Sequence, residues 1–159
     1  MTDATIHTAL MSAVAEVLDC MFFREVQGEA AEPPPEAETV AVQLSFDGDA
    51  PGHFQMRIVR PAANAIAADF LGEDPESLSA RQSTEVTLEL ANMICGAVLS
   101  RIESRAAFRL GSPQIVADDA GKRGSAEETR CTVETGEGAL TVAIQMEKRT
   151  CQPNEKSAS

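Results

Sequence analysis

Ser83 to Glu103 reads STEVTLELANMICGAVLSRIE. At about 100° per residue in an α-helix, Glu85, Glu89, Asn92, Gly96 and Ser100 fall in one strip roughly 80° wide. Val86, Leu90, Met93, Ile94 and Ala97 flank the strip on one side, and Leu88, Ala91, Cys95 and Leu99 on the other. The spacing predicts one long helix, capped by Ser83 or Thr84 and buried on two sides. Polar groups on such a helix are unfavourable unless something meets them. Here a carboxylate and a carboxamide share one exposed ridge. A glycine in a helix interior costs roughly 1 kcal/mol relative to alanine. Gly96, one turn beyond Asn92, therefore predicts that another backbone or side chain comes close.

Upstream, Ile6, Leu10, Ala13, Val14, Val17, Leu18, Met21 and Phe22 recur at helical spacing. They predict an amphipathic helix over Thr5 to Phe23, with Asp3 as its cap. Gln27 to Ala37 holds Pro33-Pro34-Pro35 and is expected to be a loop. Val40, Val42, Leu44 and Phe46 alternate with polar or small residues, as do Phe54, Met56 and Ile58. The two runs flank DGDAPG, so they predict an antiparallel hairpin with one buried face. Pro61 opens a short helix through Phe70, and Gly72 is its C-cap. Glu73 to Gln82 is expected to be a polar connector.

Downstream, Gly111-Ser112-Pro113 ends the helical region. Gln114 to Ala117 is expected to be a short strand, and Asp118 to Glu128 a loop or a long hairpin tip. Thr129 to Glu134 and Ala139 to Glu147 predict a second hairpin around Thr135-Gly136-Glu137-Gly138. The order is helix, two strands, helix, long helix, three strands. It predicts an α+β fold, a mostly antiparallel sheet with the two long helices on one face. One domain is expected over 1–149, followed by a disordered tail over 150–159.

The totals narrow the function. Hydrophobic residues are 43% of the 159, with six Phe and no Trp or Tyr, so the core is aliphatic. No apolar run approaches the roughly 20 residues of a bilayer span, and the first residues do not resemble a signal peptide. The expectation is a cytoplasmic protein. A formal charge of −12 disfavours nucleic acid and anionic membrane as partners. The cysteines form no C-x-x-C pair. Cys20, Cys95 and Cys131 are expected to be small buried hydrophobes, with the thiol of Cys151 exposed in the tail. His7 and His53 stand alone, so no metal site is expected.

The run Glu89-Leu90-Ala91-Asn92-Met93-Ile94-Cys95-Gly96 resembles the E-x-x-N signature of the CheC/CheX/FliY chemotaxis phosphatases, which is followed by an apolar pair and glycine. Phe46-Asp47-Gly48 with Gly52, the short helix before the long one, and Ser112-Pro113 extend the likeness from about Thr5 to Glu147. The chain is most similar to the single-module CheX type. The resemblance implies a CheC-like fold and a phosphatase acting on the phosphoaspartate of a CheY-like response-regulator receiver. It implies that Asn92 orients the attacking water and that Glu89 contacts the receiver's lysine. Glu85 and Gly96 would be rim contacts. The protein would carry no cofactor of its own, the Mg2+ belonging to the receiver, and would form a homodimer through strand edges.

The chemistry agrees with that assignment. An acyl phosphate is already activated, so no nucleophilic side chain is required. The receiver's metal and lysine meet the equatorial charge, and what is missing is a water in line with the leaving oxygen. A carboxamide both donates and accepts, and so can hold one. Because both partners are acidic, long-range steering does not assist encounter. Arg81, Arg101 and Arg105 are the cations nearest the long helix and are expected to soften the local field. Two-module relatives carry a second E-x-x-N on the first helix. Here Glu16-Val17-Leu18-Asp19 ends in aspartate, which repels phosphoryl oxygens, and a solvated face is the better reading. The rival is a non-catalytic dimeric interaction module of a two-component system. The apolar Ala97-Val98-Leu99 after Gly96 favours it.

Overall fold

Strand alternation decides which side of the molecule holds the helices. In the computed structural model, which describes residues 3–34, 36–48, 51–102, 108–117 and 128–146, β1 (Thr39–Gly48) and β2 (Gly52–Val59) form the expected hairpin. Val40, Val42, Leu44 and Phe46 on β1 and Phe54, Met56 and Ile58 on β2 are all buried. Ser45, His53 and Gln55 on the opposite face are exposed. β5 (Thr129–Glu134) and β6 (Ala139–Met146) form the second hairpin, and β6 joins β2. The pairing is antiparallel throughout. One transverse row runs Val42, Met56, Val142, Cys131, so a single buried face crosses both hairpins.

Three helices cover that face. α1 (Asp3–Phe22) contributes Leu10, Val14, Leu18 and Phe22 to the core, α2 (Arg60–Leu71) contributes Ile66, and α3 (Ala80–Ile102) contributes Leu90, Ile94 and Val98. Each such side chain gains about 1.5–3 kcal/mol from leaving water. α1 is long and apolar enough to pass a length-and-composition test for a membrane span. Its apolar stripe, however, is packed in this core. As the sequence predicts, Pro61 stands in the first turn of α2 and Gly72 (φ 68°) closes it, its N–H donating to the carbonyls of Ala68 and Asp69.

Three expectations are corrected. First, α3 begins at Ala80, after a short 3-10 turn at Pro75–Ser77, so neither Ser83 nor Thr84 caps it. The cap is Ser79. Its Oγ accepts the Gln82 N–H at 3.0 Å, and the Gln82 side chain accepts the Ser79 N–H at 2.9 Å. This reciprocal pair satisfies two otherwise unbonded donors. Ser83 is buried inside the helix and donates to Asn64 Oδ1 at 2.7 Å, tying α3 to α2. Ser79→Ala is expected to lower stability by about 1 kcal/mol. Thermal unfolding followed by circular dichroism checks this as a Tm drop of about 2–4 °C.

Second, the helical region does not run to Gly111. α3 ends at Ile102, and Phe108–Leu110 is a strand, β3. It pairs with the Phe46–Gly48 end of β1, while β4 (Gln114–Val116) pairs with Ala41–Gln43 along the same edge. Among the described residues the sheet thus has six strands, ordered β3-β1-β2-β6-β5 with β4 also on β1. The segment expected to be a loop over Gln27–Ala37 has no helix or strand among its described residues, and its first residues bond to β5. Gln27 and Ala30 donate to the Glu134 and Thr132 carbonyls, and Glu134 donates to Gly28. Arg130 adds an ion pair to Glu32 at 3.4 Å. The segment covers the outer edge of β5 and removes a site for unwanted strand pairing. Third, Cys20 is exposed rather than buried. The tail from 150, its boundary at 149, Cys151, Arg105 and the 118–127 stretch lie outside the described residues.

Candidate functional site

The polar strip of α3 stands where the helix turns away from the core. Val86, Leu90, Ala91, Ile94 and Cys95 are buried on its flanks. Glu85 and Glu89 are exposed, and Asn92 and Gly96 are half-buried between them and the next turn. The rigidity of this ridge comes from its flanks, since a helix buried on two sides cannot roll.

Glu85, Leu88, Glu89 and Asn92 form one wall of an open groove of about 440 Å³, and Leu110 to Pro113 form the other. That second wall is anchored on the sheet. Leu110 pairs with Phe46, and Gly111 N–H donates to the Ser45 carbonyl at 2.7 Å. A side chain at Gly111 would begin 3.1 Å from that same oxygen, so the close approach favours glycine. Gly96 is in a more open setting. A Cβ there meets only Leu110 Cδ2, at 4.0 Å. No element of the described fold crowds it, so the glycine leaves the ridge low rather than making room for its own chain.

Among the described residues, neither Glu89 nor Asn92 makes a side-chain hydrogen bond or ion pair. Glu85 does, to Arg81 Nε at 3.1 Å, in an exposed i, i+4 pair. Such a pair contributes at most about 1 kcal/mol, and it draws the Glu85 charge away from the groove. Glu89 is thus the carboxylate left open for an external cation, with a carboxamide one turn away.

Arg101, expected to soften the field of the ridge, is engaged elsewhere. It pairs with Glu16 on α1 and donates to the Ala97 carbonyl. This also accounts for the Glu16-x-x-Asp19 run: Glu16 serves a helix-to-helix contact. Val98 and Leu99, which follow Gly96, are buried in the core and take no part in the groove wall.

Among the described residues, no thiol or imidazole lines the groove, and Ser112 has no histidine beside it there to activate its hydroxyl. Burial pushes the Cys95 thiol up to about 12. It does the same to Cys131, to about 12, with the negative charge of Glu29 adding to it. His7 pairs with Glu29 at 3.3 Å, and His53 lies on the exposed face of the sheet. Among the described residues no three His, Cys, Asp or Glu side chains come together as metal ligands would. What the groove offers is an amide that donates and accepts, a free carboxylate, and apolar contact from Leu88, Leu110 and Pro113. The Leu110–Pro113 wall is the part that sequence reasoning missed. Its only signal is Gly111-Ser112-Pro113, read there as a helix stop.

Residues 40–136 match the family model described as chemotaxis phosphatase CheX. A comparison with curated proteins returned no match. Among solved structures, the chemotaxis protein CheX of Vibrio vulnificus is 20% identical with a TM-score of 0.70, covering 92% of this chain and 99% of that one. A CheC-like superfamily protein from a Shewanella species is 17% identical with a TM-score of 0.71, covering 93% and 100%. The CheX of a CheX–CheY–BeF3–Mg2+ complex from Borrelia burgdorferi is 15% identical with a TM-score of 0.66, covering 89% and 97%. At these identities the structural likenesses establish a shared fold.

Proposed function

Because the chain belongs to the CheX family of chemotaxis phosphatases, we propose that it removes phosphate from the phosphoaspartate of a CheY-like response regulator. Asn92 holds the water and Glu89 contacts the receiver's lysine. The observation that carries this reading is the pairing of a free carboxamide with a free carboxylate on one rigid, open ridge. Water attacks phosphorus opposite the aspartyl oxygen, the bond from phosphorus to that oxygen breaks, and inorganic phosphate and the receiver's carboxylate leave. The receiver brings the Mg2+ and the lysine that meet the developing charge. The Borrelia burgdorferi relative was captured with CheY, BeF3 and Mg2+, which fits this division of labour.

The asparagine can accept one water hydrogen and aim a lone pair at phosphorus, and fixing that geometry supplies the orientation that catalysis requires. The glutamate fixes depth and register by pairing with a buried cation. Glu85 meets the rim of the receiver, and low Gly96 lets it approach. The 110–113 wall offers Leu110 and Pro113 as apolar contacts. The rival of a non-catalytic module drew on Ala97-Val98-Leu99, but Val98 and Leu99 are core residues and say nothing of the contact surface. The same reading takes the protein as a cytoplasmic homodimer. The edge available for a shared sheet is that of β3 and β4, since residues 27–30 occupy the β5 edge.

Glu89 separates docking from chemistry. Glu89→Ala is expected to weaken receiver binding about 10–100-fold, the loss of a charge-assisted contact. Glu89→Gln should lose less. Titration of a BeF3-loaded receiver against each variant checks this. Equal affinities for wild type and Glu89→Ala contradict the assignment.

A further inference from the structure

α1 and α2 end side by side, and none of their residues lines the groove of the α3 ridge. The Phe22 and Phe70 rings lie 4.8 Å apart, and Arg24 pairs with Asp69. Between these two ties stands Phe23, 79% exposed and with φ at +58°. A bulky side chain in the left-handed region is a genuine outlier. α2 closes with a glycine in the same region, Gly72. Folding alone favours glycine at position 23 as well, because it takes this conformation at no steric cost and exposes no ring. A strained and exposed aromatic therefore points to a use outside the fold.

Phe23 has company. Of the five exposed large hydrophobic side chains among the described residues, Met21, Phe23, Phe70 and Leu71 come from these two helix ends. Together they present on the order of a few hundred Å² of apolar surface, the size at which patches on single chains mark interaction sites.

Apart from Arg24, which is already paired, the rim is acidic. Both helices direct the negative ends of their dipoles here, and neither has a basic residue in its last turn. Asp19, Asp69, Glu73 and Asp74 are exposed on the same two helix ends and the turn that follows. Arg24 is already engaged by Asp69 and, at 3.9 Å, by Glu137. A second copy of this chain would bring the same acidic rim to face itself under two-fold symmetry. A cationic partner would not.

We propose that the joined C-terminal ends of α1 and α2 dock a basic amphipathic helix of another protein, with Phe23 as the anchor. The apolar stripe of that helix covers Met21, Phe23, Phe70 and Leu71, and its Lys and Arg flanks meet the acids and the helix ends. This does not depend on phosphatase activity.

The probe is a fluorescent peptide with leucines at helical spacing and lysines on its flanks, together with a counterpart carrying glutamates in place of the lysines. Anisotropy is read at low and high salt. Wild type is expected to bind the lysine peptide, more weakly as salt rises, and not the glutamate peptide. Phe23→Gly should weaken binding at least tenfold, as loss of an aromatic anchor does, while melting no lower than wild type. Leu71→Ser, which leaves the strained position alone, should weaken the same complex. Unchanged affinity in Phe23→Gly overturns the proposal, as does failure of wild type to bind the lysine peptide. Sedimentation showing that Phe23→Gly splits a dimer would assign the patch to a second copy and overturn it too.

Discussion

Asn92→Ala is expected to slow the loss of phosphate from a phosphorylated receiver by about 10²–10³-fold, the scale of removing one preorganised polar group from a transition state. Affinity for the receiver should change little. The asymmetry follows from what the side chain does. Asn92 is half-buried between turns whose flanks lie in the core, so its truncation leaves the helix in place. On the proposed mechanism, what disappears is the group that both donates to and accepts from the water. The receiver's metal and lysine remain, and its own slow hydrolysis persists. Asn92→Asp keeps the shape but adds a charge that repels the phosphoryl oxygens, and it should be no better than alanine. Stopped-flow or radiolabel assays of turnover, with affinity measured separately, check both variants. A fall in affinity matching the fall in rate would mean that Asn92 only docks.

The largest effect on stability should come from Phe54→Ala. Phe54 is fully buried in β2, between Leu44 of β1 and Ile144 of β6 in one transverse row. Truncating such a ring removes its transfer contribution and leaves a cavity that a central strand cannot close, at about 3–5 kcal/mol. Domains are stable by only about 5–15 kcal/mol, so the variant keeps a fraction of its margin. Tm should drop by about 6–20 °C, at 2–4 °C per kcal/mol for a chain of this length. Urea unfolding gives the same quantity independently. A loss under about 1 kcal/mol would contradict the placement of Phe54 at the centre of the core. The α3 ridge rests on the same core, so partial loss of receiver turnover at elevated temperature should accompany the loss of stability.

The parts of this fold that were legible in the sequence are those with a strong local period. Val40 to Phe46 and Phe54 to Ile58 alternate because one face of β1 and β2 is buried and the other is not. The Glu89–Asn92 ridge was legible because two polar groups interrupt a helix that is apolar on both sides. Cys20 was misjudged because it shares a helical stripe with Ala9, Ala13 and Val17, which are buried, yet near the C-terminal end of α1 that stripe is exposed. The true start of α3 was written as Ser79-x-x-Gln82, but Ser83 and Thr84 adjoin the apolar run more closely.

β3 could not be read in this way. Three residues, Phe108-Arg109-Leu110, are too few to show a period, and their partner is the far end of β1. The cover over β5 is similar, since Gln27 to Ala30 carries no alternation and its bonds reach Thr132 and Glu134. Both are fixed by pairing across the chain rather than along it. That is also why the second groove wall was missed: Leu110 to Pro113 acquires meaning only once β3 and Gly111 are seated on β1. Gly96 is a signal whose neighbour is not supplied by the described chain. The glycine is unusual for a helix interior, yet no part of the described chain fills its space.

The most direct test is a single-turnover experiment in which excess protein is mixed with phosphorylated CheY-like receivers in Mg2+ and the phosphate remaining is followed with time. The account predicts that wild type shortens the lifetime of at least one receiver well below that of the receiver alone. It also predicts that the acceleration saturates with protein concentration and is lost with Asn92→Ala even at saturation. Rates for wild type and Asn92→Ala that coincide across several receivers, or that match the receiver's own hydrolysis, would contradict it.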